Sequence, residues 1–176
     1  MSPIYNVHSL TQTRSPLRTR ESRLGRLQRQ WGFHCSCSLC NSAPALGDSS
    51  DARILQIEDI RKELNDWSAT SRATPQMAEL LVSLLEQERV WGLLGEGHSY
   101  AAVEYNGVGD PWTALRYAHL ALEEGLALMR GKEDSEVADL RSLIEDPWGH
   151  WSWMAREKKR MGWGKRPADE DEDDDE

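Results

Sequence analysis

From position 51 onward, apolar residues recur at intervals of three and four, the spacing that lays them along one face of a helix. Ile54, Leu55, Ile57, Ile60 and Leu64 form such a stripe, with Asp51 placed to cap its start, and the polar stretch from Ser68 to Thr74 ends it. Thr74 and Pro75 then have the cap-and-first-turn order that opens a second helix. Its apolar face is Met77, Leu80, Leu81, Leu84, Leu85 and Val90, before Gly92 and Gly95 interrupt the pattern. A third helix is predicted from near Gly97 through Tyr100, Ala101, Ala102 and Tyr105.

The stretch Asn106-Gly-Val-Gly-Asp110 reads as a turn, and Asp110-Pro111-Trp112 as the opening of the next helix. That helix carries Ala114, Leu115, Tyr117, Ala118, Leu120, Ala121 and Leu126, and its small residues allow a neighbour to approach closely. A tyrosine late in one helix, a glycine-bearing turn, and alanines with a tyrosine in the next resemble a tetratricopeptide hairpin, with a plain helical bundle as the alternative. A further helix over 133–144 ends before Asp146-Pro147. Trp148, His150, Trp151 and Trp153 follow at once and are read as packing at the end of the helical domain rather than as a ligand cage.

Upstream the pattern is weaker. Leu17, Leu24 and Leu27 recur at helical spacing between Ser15 and Gln30, and a short helix is expected there. Residues 41–50 have no periodicity and are rich in Ser, Ala, Gly, Pro and Asp, so they read as a linker.

Charge is segregated along the chain. Of the formal net charge of −9, the run Asp169 to Glu176 supplies −8, and such a block is expected to be solvated and disordered. Residues 1–34 hold Arg14, Arg18, Arg20, Arg23, Arg26 and Arg29 against Glu21, a net of about +5 that reads as a solvated helix face. Aromatic residues do not alternate with these arginines, so direct nucleic-acid binding is not predicted. Lys158, Lys159, Arg160, Lys165 and Arg166 either offset the acidic tail or serve as a nuclear import signal. Neither a membrane-spanning run nor a secretory pattern is seen, so the expected location is intracellular, in nucleus or cytoplasm.

The chemistry lies in Trp31-Gly-Phe-His-Cys-Ser-Cys-Ser-Leu-Cys40. All three cysteines of the chain, Cys35, Cys37 and Cys40, fall within six residues. That spacing lets three thiolates converge on one zinc ion, while a closed structural site takes four ligands. The fourth is a histidine, a water or a residue of another polypeptide. His34 adjoins Cys35 and would strain the backbone, whereas His8 is possible.

The run aromatic-Gly-Phe-x-Cys-x-Cys-x-x-Cys, preceded by an arginine- and leucine-rich helix, resembles the post-SET element of SET-domain protein lysine methyltransferases, in particular the SMYD-like group common in fungi. The resemblance implies that Cys35, Cys37 and Cys40 are three ligands of the post-SET zinc, whose fourth ligand comes from an Asn-His-x-Cys segment of the SET core. It implies that Phe33 lines the region of cofactor and lysine channel. It also implies that Tyr5, in Pro-Ile-Tyr-Asn, is the catalytic-pocket tyrosine that ends the last SET strand.

The Asn-His-x-Cys segment and the glycine-rich S-adenosylmethionine-binding stretch do not occur in these 176 residues. The expectation is therefore a mainly α chain in five parts: the end of a SET domain and a basic helix (1–30), the post-SET cysteine element (31–41), a linker (42–50), a tetratricopeptide-like antiparallel helical domain (51–155), and a basic then acidic disordered tail (156–176). Zinc is the implied cofactor, with S-adenosylmethionine and a peptide or histone-like protein substrate only in an intact relative. Alone, the chain is expected to lack methyltransferase activity. The alternative from the same residues is a non-enzymatic helical interaction module stapled by a zinc site, without membrane association; oligomeric state is open.

Overall fold

The computed structural model describes residues 17–129 and 135–161, and of 125–129 the backbone course alone. Among the described residues the regular structure is helical: α1 (Arg20–Trp31), α2 (Pro44–Asn65), α3 (Pro75–Gln87), a 3-10 turn (Trp91–Leu93), α4 (Leu94–Gly107), α5 (Pro111–Met129), α6 (Ser135–Glu145) and α7 (Ala155–Arg160). The expected acidic-tail disorder, Tyr5 and His8 lie outside the described residues.

Two of the expected boundaries move. The segment read as a linker is largely the first two turns of α2, which starts at Pro44 in the N-terminal position where the missing N–H costs nothing. Aperiodicity there has a local cause, since this part of α2 packs polar and small groups. Gly47 is buried because the Arg20 side chain lies where a Cβ would point, 3.2 Å from that position, and the Ser50 hydroxyl donates to Glu88 (2.6 Å). Asp51 caps a different helix from the one expected. Its carboxylate accepts the Arg20 amide (2.7 Å) at the start of α1, where Thr19 accepts from Ser22.

The apolar stripes are largely realised. Ile54, Ile57, Ile60 and Leu64 of α2 meet Ala78, Leu81, Leu84 and Leu85 of α3, with Leu17, Val90, Leu94 and Ala101 in the same core. Leu55 and Leu80, counted in the stripes, face solvent. A second core is built on alanines: Ala102 of α4 packs with Ala114, Ala118 and Ala121 of α5, and Leu140 and Leu143 of α6 close it. Small side chains allow the close approach of α4 and α5. The turn between them is the one predicted, with Gly109 at φ 85° and Asp110 accepting the Thr113 amide (3.1 Å). A Cβ at Gly109 would lie 2.5 Å from Met154 Sδ, so the turn is also pressed against the residue that opens α7.

The second moved boundary is at 155/156. The first residues of the expected tail form α7, which docks on the domain, and Arg156 enters the interior with 4% of its surface exposed, while 162–176 lie outside the described residues. Its Nε donates to both Glu104 carboxylate oxygens (3.1 and 3.0 Å), and one Nη also contacts Glu104. The remaining N–H groups reach Leu64 O (3.1 Å), Asp66 O (2.6 Å) and Ser71 Oγ (3.3 Å), and the guanidinium lies 3.6 Å from the centroid of the Trp67 ring. Leu64 and Asp66 are at the end of α2, where carbonyls lose their helical partners and a cation is favoured. Arg160 adds a contact to Ala73 O (3.3 Å). Three of the basic residues read as import signal or charge balance, Lys158, Lys159 and Arg160, thus belong to a docked helix.

Loss of the guanidinium would strand Glu104, which is 1% exposed. Burial pushes the Glu104 carboxyl above the usual carboxylate range, and Arg156 opposes that rise. Arg156→Ala is therefore expected to lower stability by about 3–5 kcal/mol at pH 7 in urea unfolding. Without Arg156 the Glu104 pKa rises further, so on acidification the carboxyl takes a proton sooner than in wild type and stops burying a charge; the difference from wild type should be smaller at pH 5 than at pH 7. An equal loss at both pH values would exclude an uncompensated Glu104 charge as its cause.

Candidate metal centre

Between α1 and α2 the chain has to reverse within twelve residues. Gly32, in the left-handed region at φ 66°, ends α1 by donating its amide to Gln28 O (3.0 Å). Residues 33–36 run without regular structure, and a turn begins at Cys37, whose carbonyl accepts the Asn41 amide (2.9 Å). The reversal brings the Sγ atoms of Cys35, Cys37 and Cys40 within 4.8 Å of one another. Thiolates sharing a tetrahedral zinc at about 2.3 Å stand roughly 3.8 Å apart, so small side-chain rotations would bring the three onto one ion.

The three thiols are not equivalent. The backbone amide of Cys40, then the Cys35 thiol and the Leu39 amide, hydrogen-bond the exposed Cys37 sulfur and lower its pKa to about 7. Burial pushes Cys40 up to about 11, with the neighbouring Cys37 and Cys35 thiols adding to the rise and the Arg23 guanidinium opposing it. Near neutral pH the loop therefore offers one half-ionised thiol, held by two main-chain N–H groups of the same turn, and one reserved thiol beneath it. A divalent metal would displace the remaining protons, because the thiolate is the ligand form.

The loop is tied to the helical domain by polar contacts. Arg20, besides its main-chain hydrogen bond to Asp51, donates to Ser42 O (3.3 Å), and the Arg23 side chain hydrogen-bonds Cys40. These arginines, expected on a solvated face, are partly buried and fasten the loop.

The three predicted cysteine ligands are thus brought together. No fourth histidine, cysteine or carboxylate joins them among the described residues, and His34, though adjacent, is not part of the cluster. Phe33 is 43% exposed in the segment before Cys35, and Trp31 and Leu39 beside it are 49% and 48% exposed. The tryptophan-rich segment packs less completely than predicted. His150 and Ser152 are buried, but Trp148 and Trp151 are more than half exposed, with Trp148 edge-on to Trp112 (6.1 Å) and Trp153 (6.4 Å). Sequence reasoning also missed a cleft between α4 and α6 whose walls include Trp67, Tyr100 and Trp151; the nearness of Trp67 to Trp151 crosses 84 positions and left no periodic signal. Among the described residues no helix is long and apolar enough to cross a membrane.

No protein-family model, curated protein or solved structure matches this chain.

In the metal-free chain, alkylation by iodoacetamide is expected to reach half its limiting rate near pH 7 at Cys37, while Cys40 stays slow to well above pH 9. Peptide mapping across a pH series would show this order, and faster modification of Cys40 would refute the assignment of the two environments.

Proposed function

We propose that this chain is the C-terminal part of a SET-domain protein lysine N-methyltransferase, in which Cys35, Cys37 and Cys40 hold three corners of a post-SET zinc site. The observation that carries the reading is the convergence of three thiols, without a fourth ligand among the described residues, on a loop whose flanking Trp31, Phe33 and Leu39 are exposed. A three-thiolate corner beside exposed apolar side chains suits a loop completed by another unit, which supplies the last ligand and covers the aromatic residues.

The division of labour follows from the chemistry of methyl transfer. The acceptor amine must be deprotonated and held in line with the methyl group that S-adenosylmethionine supplies, in a channel closed to water. In this reading the zinc fixes the cysteine loop as a lid, and Phe33 lends an apolar wall to the channel. The tetratricopeptide-like helices behind the lid serve protein recognition. Activity requires the SET core, so the 176 residues alone bind zinc but do not methylate.

A second reading has its own support. The cores formed by α2 to α6 contain none of the cysteine side chains, which suits a helical interaction module with a zinc staple.

Cobalt(II) titration of the full chain distinguishes these outcomes. The expected spectrum has thiolate charge-transfer bands and tetrahedral d–d bands for three sulfurs and one exchangeable ligand, and both are lost in Cys37→Ser while the far-ultraviolet helical signal persists. Calorimetry should show no S-adenosylmethionine binding to the chain alone. Absence of cobalt–thiolate bands removes the zinc reading, and tight S-adenosylmethionine binding by this chain contradicts the assignment of the cofactor site to a separate core.

A further inference from the structure

The helical unit carries a cleft of about 330 Å³ built from elements other than the cysteine loop. Trp67, just past the end of α2, Glu96 and Tyr100 of α4, Glu136 and Asp139 of α6, and Trp151 line it, and Glu104 lies at its base. Flat rings and carboxylates are thus its main chemical groups. Trp67 and Trp151 meet edge to face with centroids 5.1 Å apart. Four carboxylates line the cleft and neither Lys nor Arg does so.

The charged groups around it set its polarity. Arg61 pairs with Glu96 (2.5 Å) and Arg156 with Glu104, each from outside the lining, and Lys159 Nζ stands 5.6 Å from the Trp67 ring centroid. Asp139 accepts the Trp151 Nε1–H (3.0 Å) and faces His150 Nε2 (3.3 Å). The Ser152 amide points at His150 Nδ1 (3.4 Å), and the Ser152 hydroxyl, which accepts from Asn106, lies 2.7 Å from that same nitrogen. Nδ1 is therefore the acceptor and Nε2–H points toward Asp139, which accepts from both His150 and Trp151.

We propose that this cleft takes the guanidinium of an arginine carried by a partner peptide. Charge selects a cation, and the aromatic walls select a flat one. The Trp67 ring already stacks an arginine of the same chain at 3.6 Å, which shows what this surface packs against. Trp151 and His150 both address Asp139 Oδ1, so Oδ2 of the same carboxylate can take one arm of a forked guanidinium whose plane lies against the aromatic walls, a geometry a compact ammonium does not match. The proposal is independent of the methyltransferase reading, because neither metal nor cofactor enters it.

Fluorescence anisotropy with the full chain and short labelled peptides tests it. The peptides are otherwise uncharged and differ at one central position, arginine, lysine or neutral citrulline. The arginine peptide should bind, the lysine peptide more weakly, and the citrulline peptide not measurably. Asp139→Asn keeps an oxygen for Trp151 Nε1–H while removing the charge, and Trp151→Ala removes a wall; each should weaken arginine binding about tenfold. Unchanged thermal unfolding in Asp139→Asn would tie its loss to the cleft. Equal binding of citrulline overturns the proposal, because charge then plays no part, and undiminished arginine binding in both variants overturns it and assigns the attraction to the acidic run 169–176. Lysine binding as tight as arginine overturns the guanidinium assignment.

Discussion

The described architecture depends on one buried ion pair. Arg156 and Glu104 are both removed from water, and their desolvation is offset only because the guanidinium is satisfied all round: a carboxylate on α4, two carbonyls at the end of α2, the Ser71 hydroxyl and the Trp67 ring. The same side chain thus joins the end of α2, the middle of α4 and α7. Hydrophobic burial in the two cores is non-directional and leaves the approach of α7 open, whereas five hydrogen-bonding directions fix it. Gly107 contributes through absence of a side chain, since a Cβ there would lie 3.0 Å from Arg156 Cγ.

A second network fixes the segment that leads into α7. Asn106, fully buried at the end of α4, donates to Pro147 O (3.0 Å) and Ser152 Oγ (2.8 Å) and accepts the Met154 amide (3.0 Å) through its own carbonyl. One residue therefore holds three points of the tryptophan-rich segment. Side chains held by such contacts on their polar atoms can leave their rings in solvent, and Trp151, tethered through Nε1 to Asp139, is half exposed for that reason.

The contrast between these elements explains what could be read from the sequence. The helices α3, α4 and α5, and the turn from Asn106 to Asp110, follow from local rules: apolar spacing, proline at the first turn, glycine at positive φ. The cysteine cluster was equally legible, because three thiols within six residues converge through a single turn. What escaped was non-local and polar. The first turns of α2 present glycine and serine to an arginine and a glutamate, so hydrophobic periodicity is silent there although the helix is real. Arg156 sits in a run, Ala155-Arg-Glu-Lys-Lys-Arg160, that composition assigns to solvent, and its partner lies 52 positions away. A buried charge is recognised by its partner, and no local pattern names the partner.

These features bear on each other through Trp67. Arg156 holds one side of that ring while locking α7 in place, and the ring is also a wall of the acidic cleft that Glu104 underlies. Docking of α7 therefore bears on the cleft as well: the same guanidinium pairs with one of its carboxylates and stacks on one of its aromatic walls. The cysteine loop, in contrast, is joined to the helical unit by contacts at the start of α1 and along α2, on the other side of the chain's sequence, and none of its sulfur ligands contributes to the cleft. Closure by α7 and the chemistry of the cysteine loop are thus separate, one governed by a buried arginine and the other by thiolate ionisation near neutral pH. A chain built this way keeps the surface that its helices present whether or not a metal sits on the cysteine loop.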